Sequence, residues 1–135
     1  MIETHFCVRG GFMKTAVIIL GHGSRAEGAG ESVAALAETL RNSGQFGWVE
    51  HAFLQYAPPT FEQAVGQCVD RGASCIVIVP FFVQTGAHVS RDIPALVGEF
   101  RKRFPSVQFQ VTGHVGGHPM MVNIVEELVK KSNAE

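Results

Sequence analysis

Short apolar runs alternate with helical stripes along this chain. Ala16-Val17-Ile18-Ile19-Leu20 is continuous and closes at Gly21. Val33, Leu36, Ala37 and Leu40 then recur at the three- and four-residue spacing of one helix face, and Asn42-Ser43-Gly44 stops them. A second run covers Trp48 to Leu54. Beyond Pro58-Pro59, Thr60 and Gln63 have capping-box spacing, and Phe61, Ala64, Val65, Cys68 and Val69 form the next stripe, up to Gly72. The third run is Cys75-Ile76-Val77-Ile78-Val79. Ile93, Leu96, Val97, Phe100 and Phe104 mark a third helix, with Pro94 expected in its first turn, where a missing N–H is harmless. Val107, Phe109 and Val111 alternate with Gln108 and Gln110 as a fourth strand. The last helix is expected from about Pro119, with Met121, Ile124, Val125, Leu128 and Val129 on its apolar side.

Strands alternating with helices predict parallel β-α units joined by right-handed crossovers. The first and third runs are unbroken and β-branched, as in central strands covered on both faces. The second contains Glu50 and His51 and the fourth alternates with glutamines, so both read as edges. The order 2-1-3-4 satisfies these constraints. The expected fold is a single-domain α/β flavodoxin-like parallel four-stranded sheet with helices on both faces. Residues 1–12, with Glu3, His5 and Arg9 but no apolar segment, read as a flexible extension rather than a secretory signal. The domain is then 13–135, and Met13-Lys14 looks like a natural start.

In such sheets ligands bind at the carboxyl ends of the strands, beside the switch point between strands one and three. Four loops are selected in this way. They are Gly21-His22-Gly23-Ser24-Arg25, Gln55-Tyr56-Ala57-Pro58-Pro59, the stretch from Pro80 to His88, and Gly113 to His118. They hold four of the six histidines. His22 and His88 follow the two strands flanking the switch point and are expected at one cleft. Imidazole ligates borderline divalent metals and exchanges protons near neutral pH, so such a pair suits either task. His114 and His118 are possible auxiliaries, and His5 and His51 read as surface residues.

Composition narrows the classes. Eleven Lys and Arg against twelve Asp and Glu leave a net charge of −1, so no basic field exists for nucleic acid or an anionic membrane. No apolar stretch is long enough to span a bilayer. Three cysteines without CxxC spacing argue against a disulfide scaffold or a zinc ribbon, and Cys68 and Cys75 read as buried thiols. A cytoplasmic location is expected. Gly21-x-Gly23-x-x-Ala26 formally fits the dinucleotide pattern, but Gln55 stands where an acid is needed and His22 intrudes on the pyrophosphate path. No GxxxxGK[ST] sequence supports ATP chemistry.

Leu20-Gly21-His22-Gly23-Ser24-Arg25, Pro80-Phe81-Phe82, Gly86-Ala87-His88 and Asp92-Ile93-Pro94 together resemble the CbiX/SirB family of class II tetrapyrrole chelatases. Phe53-Leu54-Gln55, Pro58-Pro59 and Gly117-His118-Pro119 also fit. The resemblance runs from Met13 into the final helix, with one copy of each motif, as in the family's short form. It implies ATP-independent insertion of a divalent metal (Co2+, Fe2+ or Ni2+) into sirohydrochlorin, on routes to cobalamin or siroheme. It also implies a homodimer, with His22 and His88 as the catalytic and metal-binding pair. A flat, carboxylate-rich macrocycle needs an apolar shelf with cations at its rim. Tyr56, Pro58, Phe81, Phe82 and Val83 are candidates for the shelf, with Gln55 and Gly86 beside it, and Arg25 and Arg91 are candidates for the carboxylates. The chain departs from the family at Gln55, where a Glu is common; an amide cannot act as a carboxylate base. A metal or tetrapyrrole carrier without turnover is therefore the alternative.

Overall fold

The first apolar run forms β1 (Thr15–Gly21), with every residue buried. The computed structural model describes residues 14–24, 28 and 30–133, with the backbone alone at positions 88 and 133. The segment 1–12 and Arg25 lie outside the described residues.

After β1 come α1 (Glu31–Ser43), β2 (Trp48–Phe53), α2 (Phe61–Asp70), β3 (Cys75–Pro80), α3 (Ala87–Arg103), β4 (Gln108–Val111), a 3-10 turn (Val115–Gly117) and α4 (Met121–Asn133). The four strands make one parallel sheet in the order β2-β1-β3-β4. Ile18 lies opposite Glu50 on one side and Ile78 on the other, so the unbroken strands are central and the strands with polar positions are edges.

Strand alternation divides the core in two. Ala16, Ile18, Leu20, Ile76, Ile78 and Phe109 face α2 and α3, and meet Val65, Cys68, Val97 and Phe100 there. Ile18, Leu20, Ile76 and Ile78 are each removed almost wholly from water, a contribution of about 1.5–3 kcal/mol apiece. Phe61 of α2 meets Phe100 of α3 edge to face at 5.0 Å, and Arg103 reaches Glu62 at 2.8 Å between the same helices. Val17 and Ile19 point the other way, onto Val33 and Ala37 of α1.

The turn chemistry follows the sequence closely. Thr60 Oγ1 accepts from the Gln63 backbone N–H at 3.1 Å, and Gln63 Oε1 accepts from the Thr60 N–H at 2.9 Å. At the opening of β2, the guanidinium groups of Arg41 and Arg71 lie 4.5 and 3.4 Å from the Trp48 ring. Arg41 also donates twice to the Val49 carbonyl, at 2.9 and 2.7 Å. These contacts tie α1 and the end of α2 to the edge strand.

Four readings are corrected. Helix α3 begins at Ala87, so Pro94 lies inside it rather than in its first turn. The proline leaves the Ser90 carbonyl without its helical donor. Ser90 is exposed, so water can serve that oxygen, while burial of Ile93, Val97 and Phe100 holds the helix together. Cys68 is a free buried thiol, pushed up to about 12 mainly by burial, but Cys75 is disulfide-bonded. His51 is not a plain surface residue. Its Nδ1 is buried without a hydrogen-bond partner and its ring packs edge to face on Phe53 at 5.6 Å. Lastly, β3 is not covered on both faces: Val77 and Val79 keep part of their surface in water.

That last difference traces to α4. Val122, Ile124, Val125, Leu128 and Val129 are all exposed. Within its own chain the helix packs chiefly against the 3-10 turn. Among the described residues, no helix covers the sheet face beside α1 at Val77 and Val79 of β3.

Candidate functional site

The parallel ladder continues beyond the ends of the strands. Phe81 N–H donates to the Leu20 carbonyl at 2.8 Å, Leu54 N–H to Gly21 at 3.0 Å and Gln55 N–H to His22 at 3.1 Å. The loops after β1, β2 and β3 are therefore held side by side. Gly23, at φ +98°, makes this approach possible, because a Cβ at that position would run into the Gln55 backbone.

His22 is placed on the crest of the first loop and is exposed. Its Nδ1 lies 3.3 Å from the Gln55 side-chain amide and 3.3 Å from the Gly23 carbonyl oxygen. The Phe82 ring stands edge to face against it at 6.2 Å. A carbonyl oxygen can only accept, so the Gly23 contact requires a proton on Nδ1. The oxygen and nitrogen of an amide are interchangeable in placement. With the Gln55 oxygen turned inward, both neighbours accept from Nδ1–H. The Nε2 lone pair of His22 is then free to bind a metal or take a proton.

This ring opens on a cleft of about 360 Å³ at the β1–β3 switch point. Phe53, Phe81, Phe82 and Val83 supply apolar wall, and Ser24 and Gln84 supply polar groups. Gly30 also lines it, because the Phe53 ring occupies the space a Cβ there would need. No motif selected Gly30; the glycine spacing Gly28-Ala29-Gly30 ahead of α1 was the available signal. Tyr56 is 57% exposed and takes a left-handed backbone, φ 72°, close by in sequence to Gln55. Such a conformation costs a non-glycine residue on the order of 1–3 kcal/mol and is retained where surrounding structure imposes it.

His88 sits on the first turn of α3, after Gly86, at the same end of the sheet as His22. Arg91 follows on the same helix and is exposed. His114 and His118 go elsewhere. They line a separate, largely apolar cavity of about 650 Å³ with Val79, Thr112 and Met121. His118 Nδ1 accepts from the Met120 N–H at 3.1 Å, so this ring caps the turn before α4. The 3-10 turn remains linked to the cleft, since Gly116 N–H donates to the Phe82 carbonyl at 2.8 Å. Among the described residues no three His, Cys, Asp or Glu side chains gather as a metal cluster, and no helix is long and apolar enough to cross a membrane.

Comparison with known proteins places this arrangement. The family model described as CbiX matches residues 16–132. The sirohydrochlorin ferrochelatase of Bacillus subtilis is 36% identical over 118 residues, covering 87% of this chain and 42% of that protein. The sirohydrochlorin cobaltochelatase of Methanocaldococcus jannaschii is 39% identical over 83 residues, 62% of this chain and 58% of that one. The solved sirohydrochlorin chelatase SirB from Bacillus subtilis subspecies spizizenii, in complex with cobalt, superposes with a TM-score of 0.77 at 31% identity, covering 87% of this chain and 50% of that one. The chain spans about half the length of the curated relatives it matches. With the match running from β1 into α4, across every loop of the cleft, this chain belongs to the CbiX family.

Proposed function

We propose that this protein inserts a divalent metal, Co2+, Fe2+ or Ni2+, into sirohydrochlorin without ATP, acting as two copies of the chain. The observation that carries the reading is the His22 ring. It is exposed at the switch-point cleft, backed by Phe82, and held at Nδ1 by Gly23 and Gln55. Histidines that ligate metals are commonly fixed by an acceptor on their other ring nitrogen, which sets the tautomer and raises basicity. The activities named for the relatives, a sirohydrochlorin cobaltochelatase and a sirohydrochlorin ferrochelatase, agree with that chemistry.

In this reading His22 Nε2 takes the incoming metal ion, with His88 as its partner on α3. The macrocycle lies on Phe81, Phe82 and Val83, with Tyr56 at the rim. Arg91 and Arg25 pair with its carboxylates, and Gly86 leaves room beside His88. As metal enters, two pyrrolic protons leave, and the imidazoles pass them to water. Gln55 acts by orienting His22, since it has no proton affinity of its own to offer. His114 and His118 serve the neighbouring cavity rather than the insertion step.

The test is visible absorbance of sirohydrochlorin mixed with Co2+, Fe2+ or Ni2+. Conversion faster than the protein-free control is the expected result. Tight binding without acceleration for all three metals would overturn the enzyme reading in favour of a carrier.

A further inference from the structure

Among the described residues, an apolar helix without a partner and an apolar groove without a cover occur in the same chain. Helix α4 presents Val122, Ile124, Val125, Leu128 and Val129 to solvent, each about half to two-thirds exposed (48–63%). Just before it, Met120 is 60% exposed. The groove of about 350 Å³ runs along the α1 side of the sheet, between Leu36 and Leu40 of α1 and Val77 and Val79 of β3. It shares Val79 and Val115 with the 650 Å³ cavity at the root of α4, so the two form one continuous apolar trough.

Groove and helix match in kind. A doubly wound sheet needs a second helix beside α1 to cover β3. The chain encodes such a helix, with Ile124, Val125, Leu128 and Val129 on a stripe of helical spacing, but the helix stands away from its own sheet. We propose that α4 is exchanged: it leaves its own protomer and lies in the α1–β3 trough of a second copy, which returns its own α4 in the same way. The swap deepens the two-copy reading above and rests on it. Both ends of the contact are on one chain, so a two-fold axis satisfies the helix and the trough of each copy and closes the assembly at two. Six exposed side chains of roughly 100 Å² each, doubled by symmetry, come to roughly 1,200 Å² on the helix side alone, which with the receiving surface reaches the range of a specific interface.

The exchange also reaches the site. Val115 of the trough belongs to the 3-10 turn, and that turn holds the Phe82 carbonyl through Gly116. Phe82 in turn packs on His22. A partner helix seated on Val115 therefore braces the turn behind the cleft.

Light scattering on the full chain gives the mass, expected at two chains. Leu128→Glu, at a position exposed in the single chain, is expected to return it to one chain with unchanged helix content. For the exchange itself, Leu36→Cys and Leu128→Cys are prepared separately, mixed to allow subunit exchange, and treated with a short bismaleimide. A covalent two-chain product in the mixture, absent from either preparation alone, is expected. A monomeric mass for the unaltered chain overturns the two-copy reading and the exchange together. A dimer that persists with Leu128→Glu, or that yields no mixed cross-link, overturns the exchange alone. Metal insertion measured by absorbance scores the chelatase reading separately.

Discussion

The side-chain amide of Gln55 lies 3.3 Å from Nδ1 of His22, although the two residues are 33 positions apart. Parallel pairing of β1 with β2, extended one step past the strand ends by the Gln55 N–H to His22 carbonyl bond, brings them together. Gln55 is thus the residue of the second loop that touches the proposed metal-binding imidazole.

Removing that contact tests its role. Gln55→Ala is expected to weaken metal binding by roughly 10- to 100-fold while leaving stability nearly unchanged, the usual consequence of losing an orienting partner. Gln55→Glu should strengthen it, because a carboxylate favours the proton on Nδ1 and makes Nε2 more basic. Cobalt titration by absorbance or calorimetry reads both. Equal affinities in all three proteins would remove Gln55 from the site.

His22→Ala and His88→Ala are expected to slow metal insertion by about 10²–10⁴-fold, the range associated with losing a positioned proton acceptor. His22 is exposed, so its replacement should leave the thermal midpoint within a degree or two, in keeping with surface substitutions. Insertion rates unchanged in either variant would assign the chemistry elsewhere.

At Gly23 the expectation is structural. Gly23→Ala places a methyl group against the Gln55 backbone at φ +98°, and the left-handed conformation alone costs about 1–2 kcal/mol. Chemical denaturation should show at least that loss, and the His22–Gln55 contact should open with it. A variant of full stability with native metal affinity would contradict the tight loop pairing.

His51 makes stability depend on pH. Burial lowers its pKa below the ordinary value of 6.5, partly opposed by Glu50 and reinforced by Arg41. The unfolded chain therefore binds this proton more readily, and stability falls as pH drops below about 6.5. His51→Leu is expected to flatten that decline. Urea midpoints at pH 7.5 and 5.5 provide the comparison; an equal fall in both proteins would exclude His51 as the cause.

The order of the sheet was legible because its signals are local. An unbroken β-branched run such as Ile76 to Val79 must be central, and Glu50 or Gln108 on a strand marks an edge, whatever the rest of the chain does. The cleft was legible by loop position, since the switch point follows from strand order. The capping box at Thr60 was equally plain, because both partners lie within one turn of helix.

What the sequence could not supply were relationships set by distance or by competing packing. The His22–Gln55 contact depends on register between two strands, and no spacing within either loop encodes it. Pro94 inside α3 is tolerated because Ile93, Val97 and Phe100 are buried, a tertiary gain that outweighs one lost hydrogen bond. The periodicity of α4 predicted the helix and its apolar stripe. Periodicity carries no information about which surface receives that stripe, and only the folded chain leaves it facing water beside an open trough.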